Sequence, residues 1–324
     1  RMQCWWWGMS IAQRPVDLWR LMLERNSSMW RRGCAASTGP CLRRSTVYLP
    51  IRSVTYFSVP NKVESIIREA GAVPATIAIM DGKIKVGLSK EELEILAKSK
   101  PVAKVSMRDL PGVIARKQLG ATTVATTMYG AHLAGIRVFV TGGIGGVHRG
   151  YEETMDVSAD LEELAQTDVV VVCAGAKAIL DLPRTMEYLE TKGVPVIGYR
   201  TDVLPAFFSA RSEIKLVERA DSADEIAQIV IAKSQLNMRG GVLVVNPIPE
   251  AYSLDHIYID GIIEKAVAAA RDKNVTGKEI TPFLLSEITA QTGGKSLEAN
   301  LQLVYNNALL GGQIAASLAA HAQG

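Results

Sequence analysis

Lys177 closes the run Val-Val-Val-Val-Cys-Ala-Gly-Ala-Lys at residues 169–177. A lysine leaving a buried strand is partly desolvated, and desolvation favours the neutral amine. A neutral amine can add to a sugar carbonyl and form an imine. A solvated lysine opening the next helix is the ordinary alternative. Upstream lies TGGIGGVHRG at 141–150. Glycines let backbone N–H groups approach and cradle an anion. The spacing matches neither G-x-G-x-x-G nor a P-loop, and a flexible turn reads the same way. Between these segments Asp156 and Asp160 flank Ser158. If helical, both carboxylates share a face, and an oxygen-only donor set suits Mg²⁺ or Mn²⁺. Capping at a helix start explains the same residues. Lys104, near the end of 102–106 and followed by Arg108, could meet a phosphate as a point charge or lie on the surface. His132, His148, His256 and His321 show no metal-ligand spacing, and only His148 stands in the glycine loop. Cys173, within an apolar run, reads as a small core residue.

The elements that must hold these groups alternate regularly from Lys62 onward. Strands are expected over 76–80, 83–87, 102–106, 136–140, 169–173, 194–199 and 241–246. Helices are expected over 63–70, 108–119, 121–134, 158–166, 182–192 and 222–236, with one after Ser89, where Glu92 completes a capping box. The C-terminal third reads as helices over 255–274, 282–292 and 296–320. Alternation of this kind predicts an α/β fold, a central and mostly parallel sheet flanked by helices. Runs such as VLVV at 242–245 are apolar throughout, as strands covered on both faces are. Ligands of open α/β sheets bind beyond the carboxyl ends of the strands. Thr141, Ala174 and Asn246, each following such a strand, should therefore share one edge.

Composition bounds the rest. Hydrophobic residues make up 48% of 324, enough for a sizeable core. No run approaches the ~18 apolar residues that span a bilayer, and a net charge of +3 argues against a nucleic-acid partner. The first 59 residues differ in kind: nine Arg, no Lys, only Asp17 and Glu24, all five Trp and three of the four Cys. Arg-rich, acid-poor sequence fits an organellar transit peptide, but Trp5-Trp6-Trp7 does not. A segment foreign to the fold is the other expectation, and a chain beginning at Arg1 reads as a fragment. The expected organisation is an atypical, disordered or foreign segment at 1–61 and one α/β domain at 62–324. A cytoplasmic location is expected, or a mitochondrial one if residues 1–59 act in transit.

The combination AGAVPATIAI (70–79), KVS-RDLP (104–111), GATTVATTM (120–128), TGGIGGVHRG (141–150), D-SADL (156–161), CAGAK (173–177), PAFF (205–208), NPIPE (246–250), GKE-TPFLL (277–285) and SL-AN-QLV-NNA (296–308) resembles the pseudouridine-5′-phosphate glycosidases. The resemblance runs from about residue 62 to the C-terminus. It implies an α/β/α sandwich that reversibly cleaves the C–C glycosidic bond of pseudouridine 5′-phosphate to uracil and ribose 5-phosphate, with Mn²⁺ or another divalent cation, as a homotrimer. It implies Lys177 as the nucleophile at C1′ and Asp156 as the metal ligand. Lys104, Val124, Ser158, Ala159 and Asp160 fall on substrate-contact positions, and Asn300 on an asparagine of the site. The chemistry agrees: a C–C glycosidic bond has no heteroatom leaving group to protonate, so paired carboxylates do not suffice, and an iminium provides the electron sink. The chain departs from the family in one place. The family's acid lies in an ALEST-I-HGMP segment, and here Arg44, before Ser45-Thr46-Val47, stands where the glutamate should be. Weak or absent turnover is therefore expected. The rival functions are a binding or scaffold protein of this fold and another Schiff-base sugar-phosphate enzyme such as an aldolase.

Overall fold

The computed structural model describes residues 58–275 and 280–322, together with the backbone of Thr46 and Val47. The expectations for residues 1–45 and 48–57, the Arg44 position among them, lie outside the described residues. In chain order the strands are β1 (Thr46–Val47), β2 (Ile77–Met80), β3 (Lys83–Val86), β4 (Ala103–Val105), β5 (Gly120–Thr122), β6 (Val138–Val140), β7 (Val147–His148), β8 (Val170–Cys173), β9 (Leu180–Asp181), β10 (Val196–Tyr199), β11 (Glu218–Ala220) and β12 (Val242–Val245). The helices are α1 (Ser58–Glu69), α2 (Lys90–Lys98), α3 (Leu110–Ala115), α4 (Val124–Leu133), α5 (Tyr151–Thr154), α6 (Ala159–Gln166), α7 (Leu182–Thr191), α8 (Ala223–Gln235), α9 (His256–Asp272), α10 (Ile280–Gln291) and α11 (Lys295–His321).

The main sheet has six strands in the order β1-β6-β8-β12-β10-β11, every neighbour parallel. Its central strands β8 and β12 are buried at every residue, which explains why they read as unbroken apolar runs. α11 packs on β6 and β8 and against α1 and α8. Gly311 permits that approach, since a Cβ there would run into the Val140 side chain. This is the expected mostly parallel sheet flanked by helices.

A second sheet, β3-β2-β5-β4, is mixed, and the sequence pattern did not separate it from the first. Its hairpin turns at Asp81-Gly82 with positive φ at both residues (53° and 73°), the twist-compatible turn that Asp-Gly favours. The helix expected over 121–134 begins instead at Val124, because Gly120–Thr122 pairs in parallel with β4. Gly120 makes this possible: a Cβ there would lie 2.6 Å from Val105 Cγ2. The helix expected over 108–119 stops at Ala115, and the chain turns at Lys117 with φ 54°. The boundary expected at residue 62 falls inside α1. That helix starts at Ser58 with Pro60 in its first turn, where a missing N–H costs nothing. Val59, Val63 and Ile67, four apart, form its buried stripe.

Candidate active site

Backbone bonds align the strand ends. Thr141 N–H donates to Val172 O at 3.0 Å, Ala174 N–H to Gly142 O at 2.9 Å and Asn246 N–H to Cys173 O at 2.8 Å. The three segments expected on one edge are therefore adjacent. A buried asparagine that sequence reasoning did not single out ties two of them, at Thr141 and Asn246, from α11. Asn307 donates to Thr141 O at 2.9 Å, and its Oδ1 accepts from Asn246 Nδ2 at 3.1 Å. The available signal was a polar residue inside the apolar stripe of a helix.

The glycine loop and the lysine segment run side by side. Ile144 N–H donates to Gly175 O, and Lys177 N–H donates back to Ile144 O, both at 3.1 Å. Beyond them β7 pairs antiparallel with β9. The glycines are there for contact. A Cβ at Gly145 would lie 2.5 Å from Ser158 Cβ and 2.8 Å from Asp160 Oδ2, and one at Gly143 would lie 2.6 Å from the Phe207 ring. Cys173 is fully buried, and burial pushes its thiol up to about 12, so it is no nucleophile.

Asp156 and Asp160 do not share a helix face as their spacing suggested. α6 begins only at Ala159, capped by the Ser158 hydroxyl, which accepts from Asp160 N–H. Asp156 lies before it, outside any helix, between Met155, whose φ is 52°, and Val157, which bridges to Val147. Asp160 is buried and both carboxylate oxygens are engaged: Oδ1 accepts from Ala125 N–H at 2.9 Å and Oδ2 from Gly145 N–H at 2.8 Å. Asp160 thus clamps the glycine loop to the start of α4. Asp156 keeps a carboxylate 42% exposed, its Oδ2 3.9 Å from His148 Nδ1. Its backbone O accepts from His148 N–H at 3.0 Å.

Lys177, Lys104 and Asp156 meet around His148. Burial holds this imidazole below its ordinary range, the charges of Lys177 and Lys104 push the same way, and Asp156 opposes them. Lys104 is on β4, beside Ala121 of β5. At the end of β5, Thr123 N–H donates to Val105 O at 2.9 Å, and α4 starts at the buried Val124. The Thr123 hydroxyl oxygen is buried with no hydrogen-bond partner. A buried hydroxyl without a partner at a helix start marks a place for an anion, beside the Ala125 N–H that Asp160 already occupies. Asn300, on α11, reaches the other side of the loop, with Oδ1 3.2 Å from where a Gly142 Cβ would stand. Arg149 closes the loop on α9, donating to Asp260 Oδ1 at 2.7 Å. Among the described residues no group of three or more His, Cys, Asp and Glu side chains could hold a metal. A hard divalent ion that keeps most of its waters needs fewer, and the exposed Asp156 carboxylate fits that donor set.

Residues 51–317 match the family model described as indigoidine synthase A like protein. The chain belongs to this family. It is 61% identical over 256 residues to the pseudouridine-5′-phosphate glycosidase of Staphylococcus aureus, covering 79% of this chain and 83% of the relative. It is 60% identical over 258 residues to that of Glaesserella parasuis, covering 80% and 85%. Among solved structures, the prealnumycin C-glycosynthase AlnA in complex with ribulose 5-phosphate superposes with a TM-score of 0.83 at 38% identity, covering 92% of this chain and 97% of that one. An indigoidine synthase A-like protein from Thermotoga maritima gives 0.78 at 36%, covering 85% and 94%.

Proposed function

We propose that this family member reversibly cleaves the C–C glycosidic bond of pseudouridine 5′-phosphate, giving uracil and ribose 5-phosphate, with Lys177 as nucleophile. The observation that carries it is the seating of Lys177: its N–H is held by Ile144 of the glycine loop, and its charge shares one neighbourhood with His148, Lys104 and Asp156. The names of relatives at about 60% identity support the same substrate, and a C-glycosynthase neighbour with a pentulose phosphate in its complex supports the bond type.

The phosphate is placed at the start of α4, beside Thr123, Val124 and Lys104, where the helix dipole and a lysine favour an anion. Ser158, Ala159 and Asn300 then line the sugar. The C1′–O4′ bond of the ribose breaks, its electron pair passing to O4′, which takes up a proton from solvent, and the Lys177 amine adds to C1′ and loses a proton. Its nitrogen lone pair forms the C1′=N bond, the bonding pair of the C1′–C5 bond passes to the uracil ring, and that carbon takes up a proton. Water hydrolyses the imine, releasing ribose 5-phosphate and restoring the amine. Asp156 would hold a Mn²⁺ or similar ion by its one carboxylate, water filling the remaining positions. When bound, such an ion supplies positive charge beside the substrate's oxygens. Assembly as a homotrimer belongs to the same proposal, since Ile257 and Tyr258 expose apolar surface on α9.

Residues 1–61 contain no ALEST-I-HGMP segment. This favours a second reading, binding with little turnover, which an assay of uracil release separates from the first. The nucleophile itself is tested by borohydride reduction in the presence of ribose 5-phosphate. One adduct at Lys177 is expected, absent in Lys177→Ala. Equal labelling of parent and variant would sink the assignment.

A further inference from the structure

We infer that Phe207 is the positioning residue for Lys177, an inference that rests on the nucleophile assignment above. Ala206 N–H donates to Ser209 O at 2.9 Å and Ser209 N–H returns to Ala206 O at 3.4 Å, closing a turn with Phe207 as its first central residue. Phe207 has φ 61°. Positive φ at that turn position is the province of glycine, and for a bulky residue it is a strained outlier that persists only where its surroundings enforce it.

The surroundings that enforce it are the two segments carrying Lys177. Phe207 N–H donates to Ala174 O at 3.1 Å, three residues before the lysine. The ring is buried, set edge-on to Phe208 with centroids 4.7 Å apart, and lies against Gly143. Gly143 immediately precedes Ile144, whose carbonyl accepts the Lys177 N–H. Gly175, with φ 87°, faces the Pro205 carbonyl so closely that any side chain would collide with it. The 205–207 segment therefore touches both chains whose mutual hydrogen bonds orient Lys177. A glycine at 207 would relax the turn, remove the wedge and let the 143–144 and 174–177 segments drift. Misplacement of a reacting group by about 1 Å can cost about 10²-fold in rate.

The test uses the full chain with Phe207→Gly and Phe207→Leu, and two readouts. Backbone amide exchange of the unliganded protein should accelerate about tenfold or more in 143–147 and 174–178 of Phe207→Gly, with α8 unchanged as an internal control. Borohydride trapping at saturating ribose 5-phosphate should slow about tenfold or more, while the half-saturating concentration stays within about threefold. Phe207→Leu, which keeps an apolar wedge, should recover most of both. Exchange like the parent's, or exchange raised equally in α8, would overturn the inference. So would a rise in half-saturation with the trapping rate intact. If Phe207→Gly does not fold, Phe207→Ala, which removes the wedge without freeing the backbone, decides on the same two readouts in the same segments. If the parent is not labelled at Lys177 at all, the nucleophile assignment falls, and the exchange pattern decides whether Phe207 holds the two segments.

Discussion

Asp160→Asn isolates what the buried carboxylate contributes. Asp160 is 5% exposed, and its two oxygens accept from Ala125 N–H at 2.9 Å and Gly145 N–H at 2.8 Å. Asparagine has the same shape but a single acceptor oxygen, so its amide group would face one of those two donors. A hydrogen bond to a charged acceptor contributes about 1.5–3 kcal/mol, and a buried N–H left without a partner costs about 1–3 kcal/mol. The low end of each gives a loss of about 2.5 kcal/mol, large against the ~5–15 kcal/mol typical of a domain. At about 2–4 °C per kcal/mol the midpoint of thermal unfolding should fall by about 5–10 °C. Urea unfolding, with an unchanged slope against denaturant, measures the loss directly. Ligand affinity should fall as well, because Gly145 belongs to the loop that faces the site. A variant within about 0.5 kcal/mol of the parent that nonetheless loses activity would refute the clamp and make Asp160 a substrate contact alone.

Other outcomes follow from single side chains. Lys233 is buried, and its Nζ donates to the carbonyls of Met238, Arg239 and Gly240 at 2.9, 3.0 and 2.6 Å. Lys233→Met should cost about 2 kcal/mol in urea unfolding, and no loss would show that water replaces the amine. Burial holds the Glu163 carboxyl above its ordinary range, against the Thr167 hydroxyl bonded to it, with Asp160 adding repulsion and His132 opposing it. The folded chain then binds this proton where the unfolded chain does not, so the carboxylate's cost is present above the folded pKa and vanishes as pH falls below the ordinary 4.5. Glu163→Gln should therefore stabilise the fold near pH 8 and leave it unchanged near pH 3.5; equal stabilisation at both would contradict the sign. Asp156→Ala should weaken Mn²⁺ binding about tenfold or more, read from the paramagnetic signal of the free ion, and unchanged affinity would move the metal elsewhere.

The alternation of apolar runs with amphipathic stretches determined the fold class, because burial on both faces of a parallel strand requires side chains that read as VVVV or VLVV whatever their neighbours. The capping box at Ser89 and the Asp81-Gly82 turn were legible for the same reason: their physics is complete within four residues. So was the grouping of Thr141, Ala174 and Asn246, which follows from strands running in one direction. Two of the three-residue strands, β5 and β11, were not legible. β5 and β11 exist because β4 and β10 supply their hydrogen bonds, and nothing local separates GAT or ERA from a helix start or a loop. The division into separate sheets was hidden likewise.

The same divide runs through the site. Residue type and order singled out Lys177, Lys104, Asp156 and the glycine loop. The geometry that separates Asp156 from Asp160 came from the tertiary structure, because a four-residue spacing states a face only if the chain is helical, and α6 begins after Asp156. Phe207 and the unpaired Thr123 hydroxyl carry no signature of their own, and Asn307 only that of a polar residue in an apolar stripe. Their roles arise from what is packed against them: a φ that only two neighbouring segments enforce, an amide spanning two strand ends, an oxygen buried without a partner. Patterns of hydrophobicity and turn chemistry act over a few residues and are written into the chain, whereas contacts between residues 143, 177 and 207 come into being only when the strands close side by side.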